Sequence, residues 1–159
     1  MLRPFGFCGT IHPVPPPATA PIGVVLARTA KTAGRAFDHA LATAGSSQPI
    51  WQILISLKTK PVANQRELAD AVGIQGATLT HHLNGMETTG LVTRRRDPDN
   101  RRVHLVELTD QGEKLFHQLA TAAIAHDKRL RAGFTDDEIT LLASLLHRLA
   151  ANVTDEPAP

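Results

Sequence analysis

Residues 64–109 read NQRELADAVGIQGATLTHHLNGMETTGLVTRRRDPDNRRVHLVELT, and this stretch decides the fold. Asn64 with Glu67 three residues on is a capping-box arrangement, in which each side chain satisfies a free backbone N–H at a helix start. Leu68, Ala69 and Val72 then recur at helical spacing, and Gly73 supplies the positive φ of a helix-ending turn. A second helix follows Gln75, with Leu79, Leu83 and Met86 at i, i+4 and i+7 on one side. At about 100° per residue, the opposite side carries Ala77, Thr78, His81, Asn84 and Gly85. That face is small and polar, without Lys or Glu, so it can lie close against base edges. Leu91-Val92-Thr93, an arginine-rich turn and Val103 to Leu108 complete the order: helix, turn, helix, two-stranded hairpin. This is the sequence form of a winged helix.

The hairpin concentrates charge. From Arg94 to Arg102, five arginines (Arg94, Arg95, Arg96, Arg101 and Arg102) stand against two aspartates, for a net +3. The whole chain, with 17 basic and 15 acidic residues, is only +2. Positive charge is thus gathered beside the helix whose outer face is suited to bases. Arg101, at the hairpin tip, is placed to enter a minor groove with Asp99 or Asn100 orienting its guanidinium, while Arg94–Arg96 lie nearer the phosphates. Thr78 and His81 offer a hydroxyl and an imidazole to base edges in the major groove. Double-stranded DNA is the expected partner; a winged helix used for protein–protein contact is the alternative.

With these motifs in view, the sequence resembles the MarR family of bacterial transcription regulators, and more narrowly its SlyA-like members, over roughly residues 22–153. The resemblance is carried by ELADAVGIQGATLTHHLNGMETTGLVTRRRDPDNRRVHLVELTDQG and by the earlier WQIL. It implies a mainly α fold with a small β-hairpin wing, in which N- and C-terminal dimerisation helices flank the winged helix. It also implies a homodimer that represses promoters at a palindromic operator and releases DNA on binding a small phenolic or carboxylate effector. An effector pocket between the dimerisation helices and the winged helix would be lined by Lys31, Phe37 and Trp51. Lys31 would pair with a carboxylate and Trp51 stack on a ring, although Trp51 fits a core position equally well and Lys31 a solvated charge. Three positions depart from the family's pattern: Asn100 where Asp usually precedes the wing arginine, His81 where Arg is frequent, and His82 where an apolar residue is.

Composition sets bounds consistent with this. A chain of 159 residues with 42% hydrophobic content can bury one core, and with 4% aromatics and no Tyr that core is mostly aliphatic. The single Cys8 excludes an intramolecular disulfide and fits a reducing cytoplasm. No apolar run approaches the roughly 18 residues that would span a bilayer, and no apolar signal segment opens the chain. A cytoplasmic protein without membrane contact is expected.

Outside the central stretch, residues 1–21 hold six prolines and read as a flexible arm. Ile22 to Ala44 is a long helical pattern with Ile22, Val25, Leu26, Ala33, Phe37 and Leu41 on one broad side. Gly45-Ser46-Ser47 breaks it, and a helix from Pro49 carries Trp51, Leu54, Ile55 and Leu57. Residues 49–109 are therefore the DNA-binding domain, with residues 22–48 and 110–153 forming the helical dimerisation region. Thr109 caps a helix reaching about Arg131. Thr135 with Glu138 forms a capping box for a last apolar helix. These end helices carry more apolar surface than a winged helix covers, which a twofold dimer would bury. Residues 154–159 are a tail.

Eight histidines raise the question of a metal, and a metal-sensing regulator of this fold is an alternative. Zinc ligands cluster at close spacing, whereas His117 and His126 are nine apart and His39, His104 and His147 are scattered. No metal or other cofactor is expected. Nor is an enzyme: there is no Gly-rich phosphate loop, nucleophile with a base, or carboxylate pair.

Overall fold

The computed structural model describes residues 20–59, 63–96 and 104–154. The elements run α1 (Ile22–Thr43), α2 (Gln48–Thr59), β1 (Ala63–Asn64), α3 (Gln65–Val72), α4 (Gly76–Thr88), β2 (Val92–Arg96), β3 (His104–Leu108), α5 (Asp110–Leu130) and α6 (Asp136–Ala151). The Pro-rich segment as far as residue 19, with Cys8, and the wing residues Asp99, Arg101 and Arg102 lie outside the described residues.

The caps read from the sequence set the helix starts. Asn64 Oδ1 accepts from the Glu67 N–H at 2.9 Å, and Thr109 Oγ1 from the Gly112 N–H at 3.1 Å. Thr135 and Glu138 form the full reciprocal capping box. The α3–α4 turn closes on Gly73 at φ 72°, a conformation costly for any residue with a Cβ. Its N–H donates to the Asp70 carbonyl while that of Ile74 donates to Ala69.

The sheet has order β1-β3-β2, all antiparallel. β2 and β3 form the expected hairpin, with Val92 opposite Leu108 and Arg96 opposite His104. The two-residue β1, whose Ala63 pairs with Val106, was not expected: two residues carry no period-2 pattern. The core gathers Leu41 of α1, Ile53, Leu54 and Leu57 of α2, Leu68, Leu79, Leu83, Met86, Val92, Val106 and Leu119. The buried stripe of α2 runs through Ile53, Leu54 and Leu57, while Ile55 is 43% exposed.

The end helices depart furthest from a closed core. Only Leu41 of α1 is buried, and α6 buries nothing. Ile22 (62% exposed), Ile124 and Leu141 (both 58%) stand in solvent with Leu142, Leu145 and Leu146.

One close approach fixes the start of α5. A Cβ added to Gly112 would lie 2.1 Å from the Leu91 carbonyl oxygen and 3.2 Å from Leu108 Cδ2. Gly112→Ala must therefore push α5 off the base of the wing. The expected loss is about 2–3 kcal/mol, lowering Tm by roughly 5–10 °C in a thermal melt. An unchanged Tm would show that the contact yields freely.

Candidate nucleic-acid interface

The second helix of the helix–turn–helix, α4, buries Leu79, Leu83 and Met86 and exposes Gln75, Ala77, Thr78, His81 and Asn84. The sequence-derived set thus falls on one outward surface. Its hydroxyls are not all free: Thr80 Oγ1 donates to the Gly76 carbonyl at 2.9 Å and Thr88 Oγ1 to that of Asn84 at 2.9 Å, whereas among the described residues Thr78 forms no such bond.

Of the wing arginines, the structure describes Arg94, Arg95 and Arg96. Alternation along β2 puts Val92 and Arg94 on the face toward α4, and Thr93 and Arg95 on the other. The half-buried Arg94 reaches back to α4. It donates through Nε (2.9 Å) and Nη2 to Glu87 Oε2, and its Nη2 also donates to Asn84 Oδ1 at 2.8 Å. Arg95 donates to Glu107 Oε1 from Nη2 (2.8 Å) and Nε (3.2 Å). Glu107 is the diagonal neighbour of Arg95 on β3, one pleat beyond Leu105, which stands directly opposite. Arg96 is exposed, with no carboxylate partner among the described residues.

Side-chain hydrogen bonds from Arg94 hold the Glu87 carboxyl below its ordinary value, and the guanidinium charge adds to the effect. Arg95 lowers Glu107 in the same way. Both pairs are ionised at neutral pH, so Arg94 acts as a strut from β2 to α4 that also fixes an amide on the exposed face. Sequence reasoning missed this strut. Its signal was a Glu seven residues before an Arg, meaningful only once the strand register is known.

Lys31 and Phe37 stand on α1 and Trp51 on α2. Lys31 is exposed on α1. The Phe37 ring packs on His126 at 5.1 Å between centroids, and Trp51 stacks on Phe116 at 5.6 Å. His126 and Phe116 are ten residues apart on α5, about 15 Å along its axis, so the two rings serve separate points of that helix. Lys58 completes the Trp51–Phe116 group, lying over the Phe116 ring at 5.5 Å and pairing with Glu113 at 3.0 Å. Among the described residues, no group of three or more His, Cys, Asp or Glu could hold a metal ion. Nor is any described helix long and apolar enough to cross a membrane.

Comparison with known proteins agrees with this geometry. The MarR family model matches residues 47–104, from α2 to the far strand of the wing. The HTH-type transcriptional regulator YdgJ of Bacillus subtilis (strain 168), itself uncharacterized, is 32% identical over 114 residues, 72% of this chain and 70% of that protein. Among solved structures, the transcriptional repressor CouR bound to a 23-mer DNA duplex superposes with a TM-score of 0.73 at 29% identity, covering 82% of this chain and 92% of CouR. The PcaV regulator of Streptomyces coelicolor in complex with its natural ligand gives 0.70 at 23% identity, over 86% and 99% of the two chains, and shares the fold. With a helix–turn–helix, an arginine-bearing wing and flanking helices all in the family's order, the chain belongs to the MarR family of winged helix-turn-helix transcriptional regulators.

Proposed function

We propose that this DNA-binding regulator works as a homodimeric, sequence-specific repressor of its own or a neighbouring promoter, released from a palindromic operator by a small phenolic or carboxylate effector. The observation that carries the reading is the exposed face of α4, small and polar from Gln75 to Asn84 and flanked by the arginines of β2. CouR, a repressor solved on DNA, supports the repressor role, and PcaV, solved with its natural ligand, supports an effector.

In this reading Gln75, Ala77, Thr78, His81 and Asn84 meet base edges in the major groove, with Asn84 held for that contact by Arg94. Arg96 and Arg102 meet phosphates. Arg101, oriented by Asp99 or Asn100, enters the minor groove. Arg95, shared with Glu107, borders the backbone. The exposed apolar faces of α1, α5 and α6 meet their copies across a twofold axis, which sets two recognition helices about one DNA turn apart. Residues 22–48 and 110–153 then dimerise and residues 49–109 read DNA.

The reading is tested by equilibrium binding of the purified protein to an operator selected from genomic DNA, across a salt series. His81→Ala should cost roughly 1–3 kcal/mol per half-site on the operator and leave non-specific binding nearly intact. Arg101→Ala should weaken both and flatten log K against log salt by about one unit per half-site. Equal proportional losses from both variants would overturn this division of roles, and salt-independent or absent DNA binding would favour a protein-contact module. Sedimentation should give twice the 17.1 kDa of one chain, and a monomer at micromolar concentration would end the palindrome argument.

The Arg94 strut has its own signature. Because the folded Glu87 carboxyl titrates below its ordinary 4.5, the strut is intact above about pH 4.5 and is lost as pH falls through the lowered folded value. A carboxyl-carbon NMR titration should place the Glu87 midpoint below 4.5. Glu87→Gln should release the Arg94 charge to the phosphates and steepen the salt slope by about one unit per half-site. A Glu87 midpoint at its ordinary value, or an unchanged slope, would remove the strut from the mechanism.

A further inference from the structure

Asn84 ends a chain of hydrogen bonds whose polarity fixes what its side chain can offer. The chain starts at Glu87, whose Oε2 accepts from Arg94 Nε at 2.9 Å and from Nη2. A guanidinium carries donors only. The Asn84 atom that Nη2 meets at 2.8 Å is therefore the amide oxygen, Oδ1, because the amide nitrogen there would set N–H against N–H. With Oδ1 turned to β2, the amide nitrogen lies on the other limb of the group. Its two N–H groups donate to no atom among the described residues.

Two hollows show where this amide stands. Arg94 and Glu87 line one of about 350 Å3 with Gln65 and Thr80. Asn84 borders a different one, of about 410 Å3, together with His81 and Thr88. The amide thus sits between the strut and the side of α4 that carries the candidate base-reading His81. Nearby hydroxyls do not duplicate its donors, since that of Thr80 is committed to the Gly76 carbonyl and that of Thr88 to the Asn84 carbonyl, both at 2.9 Å. An amide free to turn lays oxygen and nitrogen along one base edge and pairs bidentately with adenine, accepting from N6 and donating to N7. Asn84 cannot do this while Arg94 holds its oxygen. Only donors remain for a base.

We propose that Asn84 reads guanine, and that Arg94 is the positioning residue that sets this choice. In the major groove guanine presents two adjacent acceptors, N7 and O6, so an outward N–H finds one whichever way it leans. Adenine sets one acceptor beside a donor, thymine one acceptor beside a methyl group, and cytosine a donor alone. A donor-only amide therefore favours guanine, disfavours adenine and rejects cytosine. This inference rests on the reading of α4 as the helix that enters the major groove, and adds the base that one of its residues selects. Arg94 touches no base in this scheme; it acts through the oxygen it holds.

The test selects sites from randomised duplex DNA with the full-length protein, then measures affinity for every single-position variant of the selected site. One position per half-site should prefer guanine over adenine about tenfold, and Asn84→Ala should abolish that preference and no other. Asn84→Asp sets an acceptor-only group against Arg94 and should turn the same position toward cytosine, whose N4 donates. Arg94→Ala frees the amide and should bring adenine level with guanine, whereas Arg94→Lys, also donor-only, should keep guanine first. Bases are scored as affinity ratios, so a general loss of binding does not mimic a switch. If Arg94→Ala fails to melt cooperatively, the Asn84 variants, altered on an exposed surface, carry the test. A guanine preference unchanged in Asn84→Ala, or adenine preferred by the wild type at the position that Asn84 controls, would overturn the inference. Guanine still first in a folded Arg94→Ala would overturn the role of Arg94. A wild type without base preference at any position would sink the sequence-specific reading itself, and this inference with it.

Discussion

The structure hinges on how closely α5 passes the base of the wing. The Leu91 N–H donates to the Met86 carbonyl at 2.8 Å, which ends α4 and turns the chain into β2. The Leu91 carbonyl then accepts the Thr109 N–H at 3.1 Å, where β3 hands over to α5. Thr109 closes the knot with one hydroxyl, donating to the Gly90 carbonyl at 2.6 Å and accepting from the Gly112 N–H at 3.1 Å. These bonds fit only because position 112 has no Cβ. Recognition helix, wing and α5 thus meet within a few residues, and no one of them can tilt without disturbing the other two.

Leu91 also lines a cavity of about 530 Å3 beside Thr89 and Gln111, so open space abuts the junction itself. The Trp51–Phe116 stack, steadied by Lys58 and Glu113, instead joins α2 to α5 away from that junction. It is suited to fixing the frame.

Much of this frame is legible in the sequence because it is local. Capping depends on residues three apart, and Asn64, Thr109 and Thr135 each carry a suitable residue at that distance. The buried stripe of α4 follows from 3.6-residue periodicity, and the wing from two apolar runs around an arginine-rich turn. What escapes is what depends on register or on distant segments. Arg94 meets Glu87 because the pleat of β2 turns that side chain toward α4, whereas a shift of one residue would present Arg95. Ile53 and Ile55 both fit an apolar helix, and only their neighbours decide that Ile53 is the buried one. The cavity joins residues near 46, 90 and 114, which no window of sequence brings together.

The register of β2 also changes how the basic charge of the wing should be counted. By composition, residues 94–102 carry a net +3, and each arginine is a potential phosphate contact. Two of them are already balanced within the fold, Arg94 by Glu87 and Arg95 by Glu107. An arginine held by a carboxylate adds little to the long-range field and displaces few counterions from DNA unless the pair breaks. Pairing Arg94 therefore trades affinity for orientation, because the guanidinium that holds Glu87 also fixes Asn84 on the exposed face of α4. Selectivity gains from such an exchange. Sequence-independent attraction strengthens binding to every site alike, whereas a side chain held in one rotamer discriminates between base pairs. In a small chain of nearly balanced charge, paired arginines at the root of the wing thus favour discrimination over general DNA affinity.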